Sequence, residues 1–388
     1  MGNLICSKCN AEIIHGSPSC PKCGIHTMFY DINTPGRPYL IFQNFINICI
    51  KGEITPSISN SFNTTKSFGW FYDKLNDKDK KTYVTILKGL LTVKKRIPIL
   101  YYPLEELSII YRSVLKDNTY IFYDRFYSRW YADGDPDCEV EPEYTFSAKA
   151  IKENMEKVRE YLKRFDILKG KSDYDKVKGV YDYCISNFKY DNQDGPNKFN
   201  IMGLILNKKA VCEGIAEFVK LALDYLSVKC IYVTGESDNP QKNEESEGHA
   251  WNIVYVEGKP YHLDATWDIC GIEKLHRYDY FMLCDEDIKR DHIIKCVAPA
   301  CTTKGKDYYT QNSLLAKDYP EFERIIERNL QKGVTHFMVK FLNITFTQDI
   351  KNRILDKASK IFVNQAKRNI KVKGCFDEKK QTCEFKFI

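Results

Sequence analysis

The stretch GHAWNIVYVEGKPYHLDATWD, residues 248–268, constrains this chain more tightly than any other. Two β-prone runs flank Glu257-Gly258, a pattern that reads as an antiparallel hairpin closed by a two-residue loop. A loop of that length sets Val256 opposite Lys259, and continuing the pairing sets Asp264 opposite Trp251. Side chains on a strand return to the same face every second residue, so His249 and Asp264 share a face as diagonal neighbours. Such neighbours lie about 7–8 Å apart at the backbone, within reach of an imidazole and a carboxylate. Asp268 has the same parity but falls at or beyond the strand end, which favours Asp264. His262 shares the parity too and reads as a neighbour of the pair. The plain alternative for His249 is a satisfied core histidine. Trp251 and Trp267 read first as sheet packing and second as groove lining.

A second stretch, KKAVCEGIAEFVKLALDYLSV from Lys208, is helical by its period. Ile215, Phe218, Val219, Ala222 and Leu226 recur on one face and predict a core-facing stripe. Cys212 falls just before or at the first turn. There the helix dipole and unpaired backbone N–H groups favour an anionic sulfur and could also hold an oxyanion. Alone, such a cysteine would as readily be a small core hydrophobe.

The N-terminus carries Cys6-Ser-Lys-Cys9 and, ten residues later, Cys20-Pro-Lys-Cys23-Gly24. Two Cys-x2-Cys pairs at this separation can give four thiolates to one tetrahedral zinc ion and resemble a zinc ribbon. Four protein ligands leave no open position, so the expected role of Cys6, Cys9, Cys20 and Cys23 is structural. A segment this short would draw much of its folding energy from the metal. Cys270, Cys284, Cys296 and Cys301 invite a second site, but their spacing is irregular. Asp285-Glu286-Asp287 reads as a helix start rather than a calcium site.

Composition excludes several classes. Of 388 residues, 43% are hydrophobic and 28% charged, enough for a large core. The net charge of +6 is small for this length and no long block of one sign occurs, which argues against a nucleic-acid footprint. No run approaches the roughly 18 apolar residues of a membrane span, and the first residues lack a secretory pattern. A cytoplasmic address is expected, with the fifteen cysteines reduced rather than paired.

Between these landmarks, residues 51–66 are polar and turn-rich and read as linker. Helices are expected after an Asn76 or Asp77 cap, over EELSIIYRSVLKDN, over SAKAIKENMEKVREYLKRF and over DKVKGVYDYCISNF; TYIFYDRFYSRWYA reads as strand. Residues 310–388 read as helix, strand, helix and a terminal hairpin, with no legible chemistry.

The order Cys, His, Asp in AVCEGIA, GHAWNIV and YHLDATWD resembles the transglutaminase-like superfamily of papain-fold cysteine enzymes. The likeness runs from about residue 170 to 295, and FYDKLNDKDKKTYVTILKGL with VLKDNTYIFY is similar to the helical lead-in of bacterial proteins that carry this domain. It implies an α+β fold in which a nucleophile helix packs on an antiparallel sheet. It further implies Cys212 as nucleophile, His249 as general base and acid, Asp264 as orienting acid, and a protein or peptide amide as substrate. The family's proper transglutaminases place a tryptophan upstream of the nucleophile to help hold the oxyanion, and its papain-type proteases a glutamine. Trp130 is the nearest preceding tryptophan here, and Tyr190 and Gln193 are nearer candidates. The expected organisation is a zinc ribbon (1–30), a connecting segment (31–66), a helical and β lead-in (67–165), the catalytic core (166–300) and an α/β appendage (301–388). The competing reading is an inactive scaffold that binds a protein partner through its groove and ribbon.

Overall fold

The computed structural model describes Leu4–Ile5, Glu12–Ile13 and residues 69–388, apart from 132–136, 192, 194–196, 238–246, 270–276, 343 and 367–371. Cys6, Cys9, Cys20 and Cys23, the connecting segment 31–66 and Cys270 therefore lie outside the described residues. Leu4–Ile5 pairs antiparallel with Glu12–Ile13.

The helices begin where short polar side chains can accept a first-turn N–H. Asn76 accepts from Asp79 N at the start of Asp77–Leu91, Ser147 from Ala150 N before Ala148–Leu162, and Ser172 from Asp175 N before Asp173–Asn187. Asp285–Ile288 is a helix, as its acidic run predicts. The strand expected over residues 119–132 starts only at Asp124, because Tyr120, Ile121, Phe122 and Tyr123 are buried in the turn that precedes it. Two further strands, Ile97–Leu100 and Asp137–Tyr144, escaped the sequence reading. Each contains a proline, which argues against a strand interior. Pro142 is tolerated because the pairing with Ile97–Leu100 stops at Val140, leaving the strand one neighbour at that point.

The sheet that carries the site has five antiparallel strands in the order Phe281–Leu283, Lys259–Leu263, Glu247–Val256, Cys230–Ser237, His292–Ile294. Its hairpin has the expected register, Val256 facing Lys259 through to Asn252 facing Leu263. Glu257 and Gly258 both have positive φ, 52° and 73°, the two-residue turn whose twist matches the strands it joins. Helix Cys212–Tyr225 packs on this sheet, and all five residues of the predicted apolar stripe are buried. Two charged residues of the helix, Lys220 and Asp224, are buried as well. Lys220 Nζ lies 2.8 Å from Asp224 Oδ2 and donates to Cys230 O at 3.1 Å, tying the helix to the neighbouring strand.

One apolar core runs from Tyr72 to Met282, so the lead-in helices and the site share an interior. A second runs from Tyr309 to Phe387, under the sheet Leu315–Ala316, His336–Phe341, Thr382–Phe387, Val372–Asp377. The two meet at residues 277–280: Arg277 bridges Asp279 and Asp377, and Tyr309 donates its hydroxyl to Asp279 at 2.7 Å. No described helix is long and apolar enough to cross a membrane.

Candidate functional site

Cys212 is the first residue of its helix. The residue before it, Val211, makes no side-chain cap hydrogen bond of the kind that Asn76 and Ser172 make elsewhere. The sulfur is buried against Ala216, Tyr232 and Ala250.

His249 sits on the sheet opposite Gly235, in the middle of the Cys230–Ser237 pairing. That glycine is dictated by crowding: a Cβ on it would come 2.0 Å from Ile293 O. His249 Nε2 lies 2.7 Å from Asp264 Oδ2. Cys212 lies near enough to the ring to act on its charge.

Asp264 does not continue the strand. It turns off after Leu263, gives its N–H to Tyr280 O at 3.0 Å and opens a short helix, Ala265–Ile269. Its Oδ1 accepts from Thr266 N at 2.8 Å, which leaves Oδ2 for histidine. Two rings use that atom. His292 Nε2 lies 3.1 Å from the same Oδ2, while His292 Nδ1 lies 2.6 Å from Asp291 Oδ1.

The charges follow from these contacts. Burial works against a cation at His249, but the Asp264 carboxylate and the hydrogen bonds to Asp264 and Cys212 override it and raise the ring to about 10. Burial likewise opposes ionisation of Asp264, and the charges and N–H donors of His249 and His292 hold it well below the usual carboxylate range. His292 is raised for the same reason, by Asp264 and Asp291 acting against burial. Asp264 is thus a buried carboxylate shared by two imidazoles, both of which it biases toward the protonated form.

His292 is the residue that sequence reasoning missed. It lies 28 positions from Asp264, on an edge strand three places across the sheet from Lys259–Leu263, and no periodicity links them. The only signal was a histidine in a short β-prone run, KRDHII.

The other expected residues fall around this centre. His262 is one step removed: it accepts the Trp251 indole N–H at Nδ1 (3.1 Å) and faces Asp285 through Nε2 (2.9 Å). Trp251 stacks on His249 with ring centroids 5.8 Å apart, and Trp267 covers His292 at 4.8 Å. Asp268 accepts from Tyr181, Asp279 N and Tyr280 N, which fixes the 277–280 segment and places it away from His249's ring nitrogens. Tyr190 pairs with Ala210, two residues before Cys212. Gln193 is exposed, and Trp130 belongs to the separate sheet of the lead-in, opposite Glu139.

Among the described residues, two groups of donor atoms lie close enough to share a metal: His249, Asp264, His292 and, separately, His262, Asp285, Cys301. The hydrogen bonds these atoms already make compete with it. His249 Nε2 and His292 Nε2 both face Asp264 Oδ2, and the His262 lone pair at Nδ1 is already taken by Trp251.

Residues 163–265 match the family model of the transglutaminase-like superfamily, a span that contains Cys212, His249 and Asp264 but stops short of His292. Kyphoscoliosis peptidase of Mus musculus is 28% identical over 105 residues, covering 25% of this chain and 16% of the relative. The Homo sapiens protein of that name is 27% identical over the same shares. The chain therefore spans 16% of the length of these curated relatives. Among solved structures, a chain described as a TGase is 17% identical with a TM-score of 0.27, covering 47% of this chain and 53% of that one. Over residues 163–265, then, the chain carries a transglutaminase-like domain.

Proposed function

We propose that the chain is a cysteine-dependent enzyme acting on amide bonds of protein or peptide substrates through a thioester acyl-enzyme. The observation that carries this reading is the His249 ring, whose Nε2 lies 2.7 Å from Asp264 Oδ2 and whose charge Cys212 is near enough to influence. An imidazolium beside the sulfur stabilises a thiolate by Coulomb attraction. The sulfur attacks the amide carbon, and the Cys212 backbone N–H, at the open start of its helix, donates to the oxygen that becomes negative. The imidazolium then gives its proton to the leaving nitrogen as the C–N bond breaks. Neutral His249 takes a proton from water, the hydroxide attacks the thioester carbon, and the sulfur departs as thiolate. An amine in place of water would give transfer.

Hydrolysis is favoured over transfer, because Trp130 lies in another sheet and no tryptophan precedes Cys212 in the domain. The relatives' name, peptidase, points the same way. The four N-terminal cysteines would hold one structural zinc ion and present a ribbon to a protein partner. Elemental analysis of the purified full chain tests that part: one zinc per chain is expected, falling to none in Cys9→Ser.

The catalytic reading is tested by incubating the chain with a peptide pool, quenching in acid and reading the Cys212 peptide by mass spectrometry. Acyl adducts on Cys212 are expected, together with rapid iodoacetamide labelling that slows to the rate of a free thiol in His249→Ala. No adducts, with wild-type labelling already at the free-thiol rate, would leave the groove a binding surface without chemistry.

A further inference from the structure

Beside Cys212 the molecule keeps a cavity of about 590 Å³ whose lining has no part in the mechanism above. It begins where the nucleophile's own surroundings end. Tyr232, which packs on Cys212, forms one wall, and Glu213 and Glu217, one helical turn apart on the Cys212 helix, form the next. Across from them stand Tyr111, Thr119 and Asp124 of the lead-in.

Asp124 and Thr119 are 3% and 4% exposed, and among the described residues neither Asp124 Oδ1 nor Thr119 Oγ1 has a hydrogen-bond partner. The other Asp124 oxygen accepts from the Tyr111 hydroxyl. Buried acceptors left bare are costly, and a native fold retains them where something else is meant to satisfy them. Burial raises the Asp124 carboxyl to about 7, against the Tyr111 hydroxyl and aided by Glu143, so an arriving cation would draw it into its ionised form. Two basic residues also reach the cavity. Lys116 is already engaged, its Nζ donating to Thr234 Oγ1 at 2.8 Å, and Arg112 is exposed at the rim. Leu115 and Ile121 add apolar wall beside the tyrosines.

We infer that this cavity is a specificity pocket that takes the cationic side chain of a lysine in the substrate peptide, flanking the amide that Cys212 attacks. The aliphatic stem lies along Tyr111, Ile121 and Tyr232, and the ammonium donates to Asp124 and Thr119 with Glu213 and Glu217 nearby. The inference rests on the amide-bond reading for its place in the reaction, but the pocket can be tested without it.

The experiment uses the full chain and tripeptide vinyl sulfones that carry lysine, norleucine or glutamate at each of the three positions in turn. Alkylation of Cys212 is timed by intact-mass spectrometry. At one position the lysine probe is expected to react about tenfold or more faster than norleucine, the effect of one charge-assisted hydrogen bond. That ratio should fall toward one in Asp124→Asn and in Glu217→Gln, the second variant serving if the first does not fold. Equal rates for lysine and norleucine at every position, or a ratio that survives both substitutions, overturn the pocket. A parallel measurement separates the two ideas: N-acetyl-lysine methylamide should raise the melting temperature of the wild type and not of Asp124→Asn. If no probe alkylates Cys212 while that shift is seen, the catalytic reading fails and the cation pocket stands. If the shift is absent as well, both fail.

Discussion

His249 and His292 aim one nitrogen each at the same atom, with Nε2 distances of 2.7 and 3.1 Å to Asp264 Oδ2 and ring centroids 5.2 Å apart. Asp291 holds the far side of His292, its Oδ1 2.6 Å from His292 Nδ1. The arrangement makes His292 a positioning residue for Asp264. His292→Gln keeps a donor of similar reach but removes the charge that helps hold Asp264 ionised, so the Asp264 carboxyl rises. The acid limb of the Cys212 labelling profile is therefore expected to move to higher pH, by about one unit for each 1.4 kcal/mol of lost interaction. An unmoved acid limb would reduce His292 to packing.

Asp264 combines two jobs that substitution can separate. Oδ1 caps the Ala265–Ile269 helix and Oδ2 anchors the rings. Asp264→Asn keeps an oxygen for the cap and loses the charge, whereas Asp264→Ala loses both. Both are expected to lower turnover at pH 7 by about 10²–10⁴-fold, the usual worth of a positioned acid-base group. Urea unfolding should then find the alanine variant weaker than the asparagine variant by about 1 kcal/mol, the value of a cap. Equal stabilities would mean that the cap contributes nothing.

The raised His249 fixes the sign of a pH dependence. Its folded-state value, about 10, lies above its ordinary 6.5, so its contribution to stability is complete below 6.5 and is lost as pH rises through about 10. His292 is raised and acts in the same direction. Asp264, depressed below 3.8, acts on the other side: its contribution is present above 3.8 and is lost as pH falls below its folded-state value. Denaturation midpoints should therefore decline from pH 7 to pH 10, less steeply in His249→Gln, and turnover should lose its proton donor near pH 10. A midpoint that climbs over this interval in the wild type but not in the variant would reverse the assignment.

Gly235 is the hinge of the arrangement, since it faces His249 on one side and Ile294 on the other. In Gly235→Ala the new methyl would meet Ile293 O at 2.0 Å, which forces the His292–Ile294 strand away and takes His292 with it. Overpacking of this kind costs about 1–3 kcal/mol. The expected readouts are a lower melting temperature and the same shifted acid limb as His292→Gln. If the melting temperature falls while the acid limb stays, His292 does not act through Asp264.

The local chemistry of the chain was written in the local sequence. Alternation around Glu257-Gly258 determined a hairpin and its register, the 3.6-residue period after Lys208 determined a buried stripe, and Asn76-Asp77 marked a helix start. Period and turn chemistry are properties of neighbours, so they can be read without the fold. The prolines of Ile97–Leu100 and Asp137–Tyr144 hid strands for the converse reason: whether a proline is tolerated depends on which strand lies beside it. Tertiary structure alone decided that Asp264 leaves the strand to cap a helix, that His292 crosses the sheet to share its oxygen, and that Asp124 and Thr119 border a cavity beside Cys212. Each of these joins residues whose separation in sequence carries no information about distance, because strand order and packing, rather than spacing, bring them together.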